Sequence, residues 1–206
     1  VAIADTNNKT FTPTNQAGAI ISVTASYTDN DGFSSTITGA ADTVVYTQVI
    51  SDAGALLGAI NAGLGDGDVL GLNTGVYADL DAILLASAAT LKAVEGQSPV
   101  ISGELCIHVA SGVDGAGIEG LTFKNIDTKS GGFCETEEDA VIYSEGDNFT
   151  FTQNTIDGEA ETLNNSTYHW LMLKGDAAMV ERNTFANRDK AENGSVIKMS
   201  SSSTNH

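Results

Sequence analysis

The sequence predicts an all-β chain. The predicted architecture is a right-handed parallel β-helix (a solenoid) with a short amino-terminal capping helix, preceded by the strands of a partial β-sandwich. Three observations carry this. Glycine recurs at Gly117, Gly146 and Gly175, and asparagine at Asn125, Asn154 and Asn183, both with a period of 29 residues. Two residue types at one fixed period mark stacked structural units. Between them run short apolar strands and polar turns, such as Gly-Ile-Glu-Gly-Leu-Thr-Phe at 117–123, Asn-Phe-Thr-Phe-Thr at 148–152 and Ala-Met-Val at 178–180. Finally, 22 glycines against 2 prolines in 206 residues suit many tight turns between regular strands. In this reading Asn125, Asn154 and Asn183 form a ladder at one turn, each side-chain amide bonding its equivalent one coil away.

The chain divides into residues 1–47 and 48–206. In the first part, Ile20 to Tyr27 alternates apolar and polar residues as a half-buried strand does. Thr28-Asp-Asn-Asp-Gly32 is a turn, Phe33 to Thr38 the return strand and Asp42 to Val45 the exit. The Asp29-Asn-Asp-Gly32 run has the opening of a Ca²⁺ loop without its later ligands, so a plain hairpin turn is expected. Ser51 or Asp52 then caps a helix whose Leu56, Leu57, Ile60 and Leu64 share one face, and Gly63, Gly65 and Gly67 end it. Such a helix covers the strand edges of a first coil.

Strands begin at Val69-Leu-Gly-Leu72 and continue through Val76-Tyr77, Thr90 to Val94, Pro99 to Gly103 and Cys106 to Val109. Leu80 to Ala93 is rich in Ala and Leu and admits a helix, but strand and turn fit the surrounding pattern. Val196-Ile-Lys-Met199 is the last strand, followed by Ser-Ser-Ser-Ser-Thr-Asn-His206. No closing helix follows, so the last coil is expected to meet further chain or a docking partner.

Net charge is −18, from 27 acidic and 9 basic residues. Nucleic acid, or an anionic membrane, is a poor partner for that surface. The acidity reads as a solvated surface, compatible with Ca²⁺ binding by some carboxylates. No apolar run approaches the length of a membrane span. The chain opens on Val rather than Met, which we read as a processed chain or a fragment, so the missing leader does not argue against secretion. Cys106 and Cys134 lie 28 residues apart, close to one coil. Either they stack and form a disulfide, as suits a secreted protein, or they are two buried thiols.

Two resemblances sharpen the expectation. Phe11-Thr-Pro-Thr, Ile21 to Phe33 and Thr38-Gly-Ala-Ala resemble the end of an immunoglobulin-like or cadherin-like repeat of bacterial surface proteins. Three later stretches resemble the amino-terminal half of polysaccharide lyase family six, which holds alginate lyases and the chondroitin B-type lyase. These are Leu57 to Tyr77, Ile118-Glu-Gly-Leu-Thr-Phe-Lys-Asn125, and His169-Trp-Leu-Met-Leu-Lys-Gly175 with Val180-Glu-Arg-Asn-Thr-Phe185. The resemblance implies an extracellular enzyme that cleaves uronate polysaccharide by β-elimination, using Ca²⁺ to neutralise the uronate carboxylate, a Lys base and an Arg. Those roles map beyond residue 206, so no catalytic or metal residue is assigned here and the chain alone is expected to be inactive. The family's Phe-x-Gly-Lys is also altered, to Phe185-Ala-Asn-Arg188-Asp-Lys190.

The candidate contacts to an anionic polysaccharide are Lys174, Arg188, Lys190 and Lys198, gathered late in an acidic chain, with Trp170 as a sugar-stacking ring. Arg182 belongs to the same late cluster. His108 and His169 read as structural, and Glu135-Thr-Glu-Glu-Asp139 as a solvated loop with a Ca²⁺ site as the alternative. The rival to the lyase reading is a non-enzymatic adhesin segment or filament subunit that self-associates through open β ends.

Overall fold

The computed structural model describes residues 23–28, 30–39, 46–137, 140–158, 169–188 and 194–199. The chain forms two compact units, Val1–Tyr46 and Thr47–His206. In the first, β1 (Val23–Thr28) and β2 (Ser34–Gly39) pair antiparallel from Val23 opposite Gly39 to Thr28 opposite Ser34. Gly32 takes the left-handed conformation that this turn needs, at φ 85°. Among the described residues this unit is a two-stranded ribbon; the exit strand expected at Asp42 to Val45 lies outside them.

The second unit is a parallel β-solenoid of about five coils. It opens with β3 (Gln48–Ile50) and α1 (Ala53–Asn61). The Asp52 carboxylate accepts the Ala55 amide at 2.8 Å, the N-cap interaction that fixes where the helix starts. Leu56 is fully buried, and α1 packs on the first coil.

Each coil then presents one strand to each of three faces. The first coil is β4 (Val69–Leu72), β5 (Gly75–Ala78) and β6 (Asp81–Leu85). The second is β7 (Thr90–Ala93) and the long β8 (Pro99–Val109), which turns the corner without a break and serves two faces. The third is β9 (Gly117–Glu119), β10 (Thr122–Thr128), a short helix α2 (Phe133–Glu137) and β11 (Ala140–Ser144). The fourth is β12 (Thr150–Thr152), β13 (Thr155–Asp157) and β14 (His169–Leu173), and the fifth β15 (Met179–Glu181), β16 (Thr184–Ala186) and β17 (Ser195–Met199). The Leu80–Ala93 stretch is thus strand and turn, as β6 and β7.

The register stacks like on like. On the first face Leu70, Leu91, Ile118, Phe151 and Val180 stand over one another. On the second the column is Tyr77, Ile101, Phe123, Ile156 and Phe185. On the third it is Ile83, Ile107, Ile142, Leu171 and Ile197. These columns are the core, buried in coils one to four and half-buried in the fifth. Burying each large side chain stabilises the fold by about 1.5–3 kcal/mol.

The true repeat differs from the 29-residue period. Thr122 pairs with Thr155 and Thr155 with Thr184, steps of 33 and then 29 residues. Asn154 and Asn183 therefore share one corner, and Leu121, not Asn125, is their equivalent one coil earlier. The Asn154 side chain donates to the Ile118 carbonyl and accepts the Leu121 amide, both at 2.9 Å. Asn183 donates to the Phe151 carbonyl at 2.7 Å and accepts the Asn154 amide at 2.8 Å. The ladder thus bonds side chain to backbone rather than amide to amide. Asn125 is exposed and belongs to a different corner, the bend after the second face. There it takes φ 50° like Asp79 and Asn187, conformations that Asn and Asp tolerate better than most residues.

Gly117 likewise is no equivalent of Gly146. It lies in β9 between Thr90 and Thr150, where a Cβ would stand 2.6 Å from the Thr150 hydroxyl. Gly146 and Gly175 do stack. A Cβ on Gly146 would meet the Val113 carbonyl at 2.7 Å, and one on Gly175 would overlap the Gly146 carbonyl.

Two predictions follow from these corners. Asn154→Gly strands a buried carbonyl and a buried amide and lowers stability in urea by about 2–4 kcal/mol, whereas Asn125→Gly leaves it within about 0.5 kcal/mol of the parent. Equal losses at both positions would refute the corner assignment. Gly175→Ala costs at least about 1–3 kcal/mol by overpacking, while Gly58→Ala, in open space on α1, gains about 0.5–1 kcal/mol.

Candidate functional site

On the third face, successive outward positions are Leu84, His108, Tyr143, Met172 and Lys198. An outward position on a solenoid normally meets water, and Leu84 is 51% exposed. Tyr143 and Met172, however, are 0% and 1% exposed. The segment between β10 and β11 packs against Tyr143 through Phe133, and its Cys134 is buried in one cluster with Cys106, Ala140, Tyr143 and Met172. It runs as a strap from Lys129 through α2 and lies against the outer surface of the neighbouring coils.

Three attachments hold the strap. At its entry, the Lys129 amide donates to the Leu105 carbonyl at 3.0 Å, and its ammonium reaches Asp81 at 2.8 Å and Glu104 at 2.9 Å, so one side chain ties three coils. The hydrogen bonds to the Asp81 carboxylate, then to Glu104, raise the Lys129 pKa above its ordinary value of 10.5. In α2, Cys134 is disulfide-bonded to Cys106 with their Cα atoms 5.7 Å apart. The disulfide, one of two alternatives open from the spacing, is the one formed. Beside it the Phe133 ring stacks on His108 at 3.9 Å between centroids and meets Tyr143 edge-on at 5.3 Å.

The rim of this aromatic cluster is charged. His108 Nε2 lies 3.0 Å from a Glu145 carboxylate oxygen. The Lys174 ammonium sits over the Tyr143 ring, 5.0 Å from its centroid, a cation–π contact that orients the lysine along the sheet. Lys198 lies on the same face one coil on, paired in register with Met172. The result is a surface with an accessible aromatic edge, Phe133 at 38% exposure, flanked by Lys174 and by the His108–Glu145 pair. Chemically it is suited to hold a ligand with apolar ring faces and anionic substituents.

The sequence-predicted set is therefore divided. Lys174 and Lys198 share this face. Arg188 and Trp170 meet each other instead, the guanidinium 5.2 Å over the indole. Trp170 is 0% exposed and packs on Phe185 within the core, so its ring is not open for sugar stacking. Lys190 lies outside the described residues. Arg182 is engaged with its neighbour Glu181 at 3.2 Å. His169 is buried and its Nδ1 accepts the Ser195 amide at 3.2 Å, a structural role. The acidic run begins inside α2: Glu135 accepts the Gly131 amide, and Asp139 lies outside the described residues. Phe133, Tyr143, Glu145 and Met172 escaped sequence reading. Their signal was parity alone, since His108 alternates with inward Ile107 and Val109.

Among the described residues no group of three or more His, Cys, Asp or Glu is placed to hold a metal ion. Asp114 and Asp147 stack at one corner, but Asp114 accepts the Asn148 amide group at 2.7 Å and Asp147 the Asp176 amide at 2.8 Å. No helix among the described residues is long and apolar enough to cross a membrane.

Compared with protein-family models, curated proteins and solved structures, the chain matches none of them significantly. The lyase and immunoglobulin-like resemblances rest on the quoted residues alone.

Lys129 supplies a pH test. Its pKa is raised on folding, so its contribution to stability is complete below about 10.5 and is lost as pH rises through the higher folded value. Lys129→Met is expected to lower Tm at pH 8, and the difference from the parent to shrink progressively as pH rises above about 10.5. A pH-independent difference would mean that packing of the side chain, not its charge, holds the strap entry.

Proposed function

We propose that this solenoid is a uronate-polysaccharide-binding unit of an extracellular protein of the polysaccharide lyase type. The observation that supports it is the outer third face, where aromatic surface and two lysines are gathered on a chain of net charge −18. Pyranose rings stack their C–H faces on aromatic ring faces, and uronate carboxylates pair with ammonium groups. The disulfide agrees with an oxidising, extracellular location. In this reading β-elimination belongs to the whole protein, and no catalytic or Ca²⁺-binding role is assigned to a residue of this chain.

Affinity electrophoresis in gels cast with alginate or polygalacturonate tests the proposal. Retardation is expected, weakening as salt rises. The double variant Lys174→Ala/Lys198→Ala should lose about 1 kcal/mol or more of binding, roughly fivefold to tenfold. Unretarded migration in every acidic polysaccharide would sink the reading. Release of unsaturated uronate ends by the chain itself would replace binding with catalysis.

A second reading, self-association as an adhesin segment or filament subunit, is favoured by the fifth coil. Among the described residues β15, β16 and β17 pair on one side only, and Met179 and Met199 are 47% and 56% exposed. At the opposite end α1 packs on the first coil but β3 is likewise an edge strand, so contact between unlike ends would extend head to tail, whereas contact between two fifth coils would close as a dimer. Sedimentation velocity separates the cases: a concentration-dependent dimer supports pairing, and a long polymer supports the filament.

A further inference from the structure

We propose that the Cys106–Cys134 disulfide is a latch on the strap rather than a brace of the solenoid, and that a dithiol reductant opens the strap and uncovers the outward face of β8, β11 and β14. The proposal uses no part of the polysaccharide reading.

The two cysteines stand apart from the stacked core. They cluster with Ala140, Tyr143 and Met172 on the outside of the sheet, while the inward columns form a separate and larger cluster. The coil does not need the strap to close. β10 pairs with the first half of β8 and β11 with its second half, so both ends of the strap are fixed by ladders of their own. Within the strap, hydrogen bonds are local: Gly132 to the Lys129 carbonyl, Thr136 to those of Gly132 and Phe133, and Gly131 to the Glu135 carboxylate. A helix of five residues does not hold itself in water. Beyond Lys129 at the entry, α2 is held to the solenoid by the disulfide, by the buried Cys134 packed with Ala140, Tyr143 and Met172, and by the Phe133 ring on His108 and Tyr143.

Opening is a balanced exchange. Cys106 and Cys134 are buried, so a local opening of α2 admits the reductant; its thiolate attacks one sulfur, the S–S bond breaks and a mixed disulfide forms. The second thiol of the reductant displaces that sulfur and leaves the reductant as a cyclic disulfide. Two electrons and two protons end on Cys106 and Cys134 as thiols. The strap, freed from Cys106, then gains more conformational freedom than the two Phe133 ring contacts and the packing of one small side chain offset. What it uncovers is Tyr143, now buried, together with the cluster it shares with Met172, bordered by Lys174 and by His108 with Glu145. Reduction thereby changes the outer face from a closed to an open apolar surface while the stacked coils persist.

The test is hydrogen–deuterium exchange on the full chain, with and without dithiothreitol, together with thiol titration and the Cys106→Ser/Cys134→Ser variant. The expected result is two titratable thiols, exchange of residues 130–137 accelerated roughly tenfold or more, and unchanged protection in β8, β11 and β14. The Ser variant should show the same open pattern without reductant. The proposal is overturned if no thiol appears under native conditions, or if residues 130–137 keep their protection after reduction. It is equally overturned if the strands lose protection with the strap, or if the Ser variant does not fold, since either makes the bond a brace.

Discussion

Everything in the second unit depends on one constraint: each coil must bring its inward side chains back over those of the coil before. A parallel ladder with an apolar column behind it satisfies both demands at once. Leu70, Leu91, Ile118, Phe151 and Val180 meet it on one face, and two more columns meet it on the others. Backbone amides and carbonyls are then paired coil to coil, and side chains of similar size fill the space that the ladder spacing leaves. A misplaced register would turn the column outward, so the pattern is strongly specified.

That constraint also explains what was legible in the sequence. Short apolar runs with polar breaks announced stacked strands, and α1 with its Asp52 cap was readable because helix-start chemistry is local. The 29-residue period was only partly physical. It holds from Asn154 to Asn183 and from Gly146 to Gly175, where backbone crowding and the side-chain bonds repeat. Extending it back to Asn125 and Gly117 joined residues that are not equivalent, because β10 is longer than β13 and the step across the third coil is 33 residues rather than 29. Asn at 125 and Asn at 154 look alike in sequence but answer different needs. One tolerates a left-handed backbone, and the other satisfies a buried carbonyl and amide.

The candidate face was harder to read for a physical reason. Its members come from four coils and from α2, and only the register brings them together. Tyr143 and Met172 look like core in sequence and are indeed buried, yet they stand apart from the inward columns, in a cluster with the two cysteines. Trp170, the obvious sugar platform by composition, is the opposite case. Its size is used to fill the core against Phe185.

The corners of the solenoid do not share the burden of length. Between the first and second faces, four of the five coils cross in two residues: 73–74, 120–121, 153–154 and 182–183. In the last three of these, Gly120, Gln153 and Arg182 all take the left-handed conformation. Between the second and third faces the crossing ranges from none, within β8, to eleven residues at 129–139 and 158–168. One edge of the solenoid is therefore nearly constant in its crossing length, and another is an open margin. Insertions accepted over evolutionary time would collect along that margin, as would loops grafted by design. New surface chemistry can be added there without retuning a single core column.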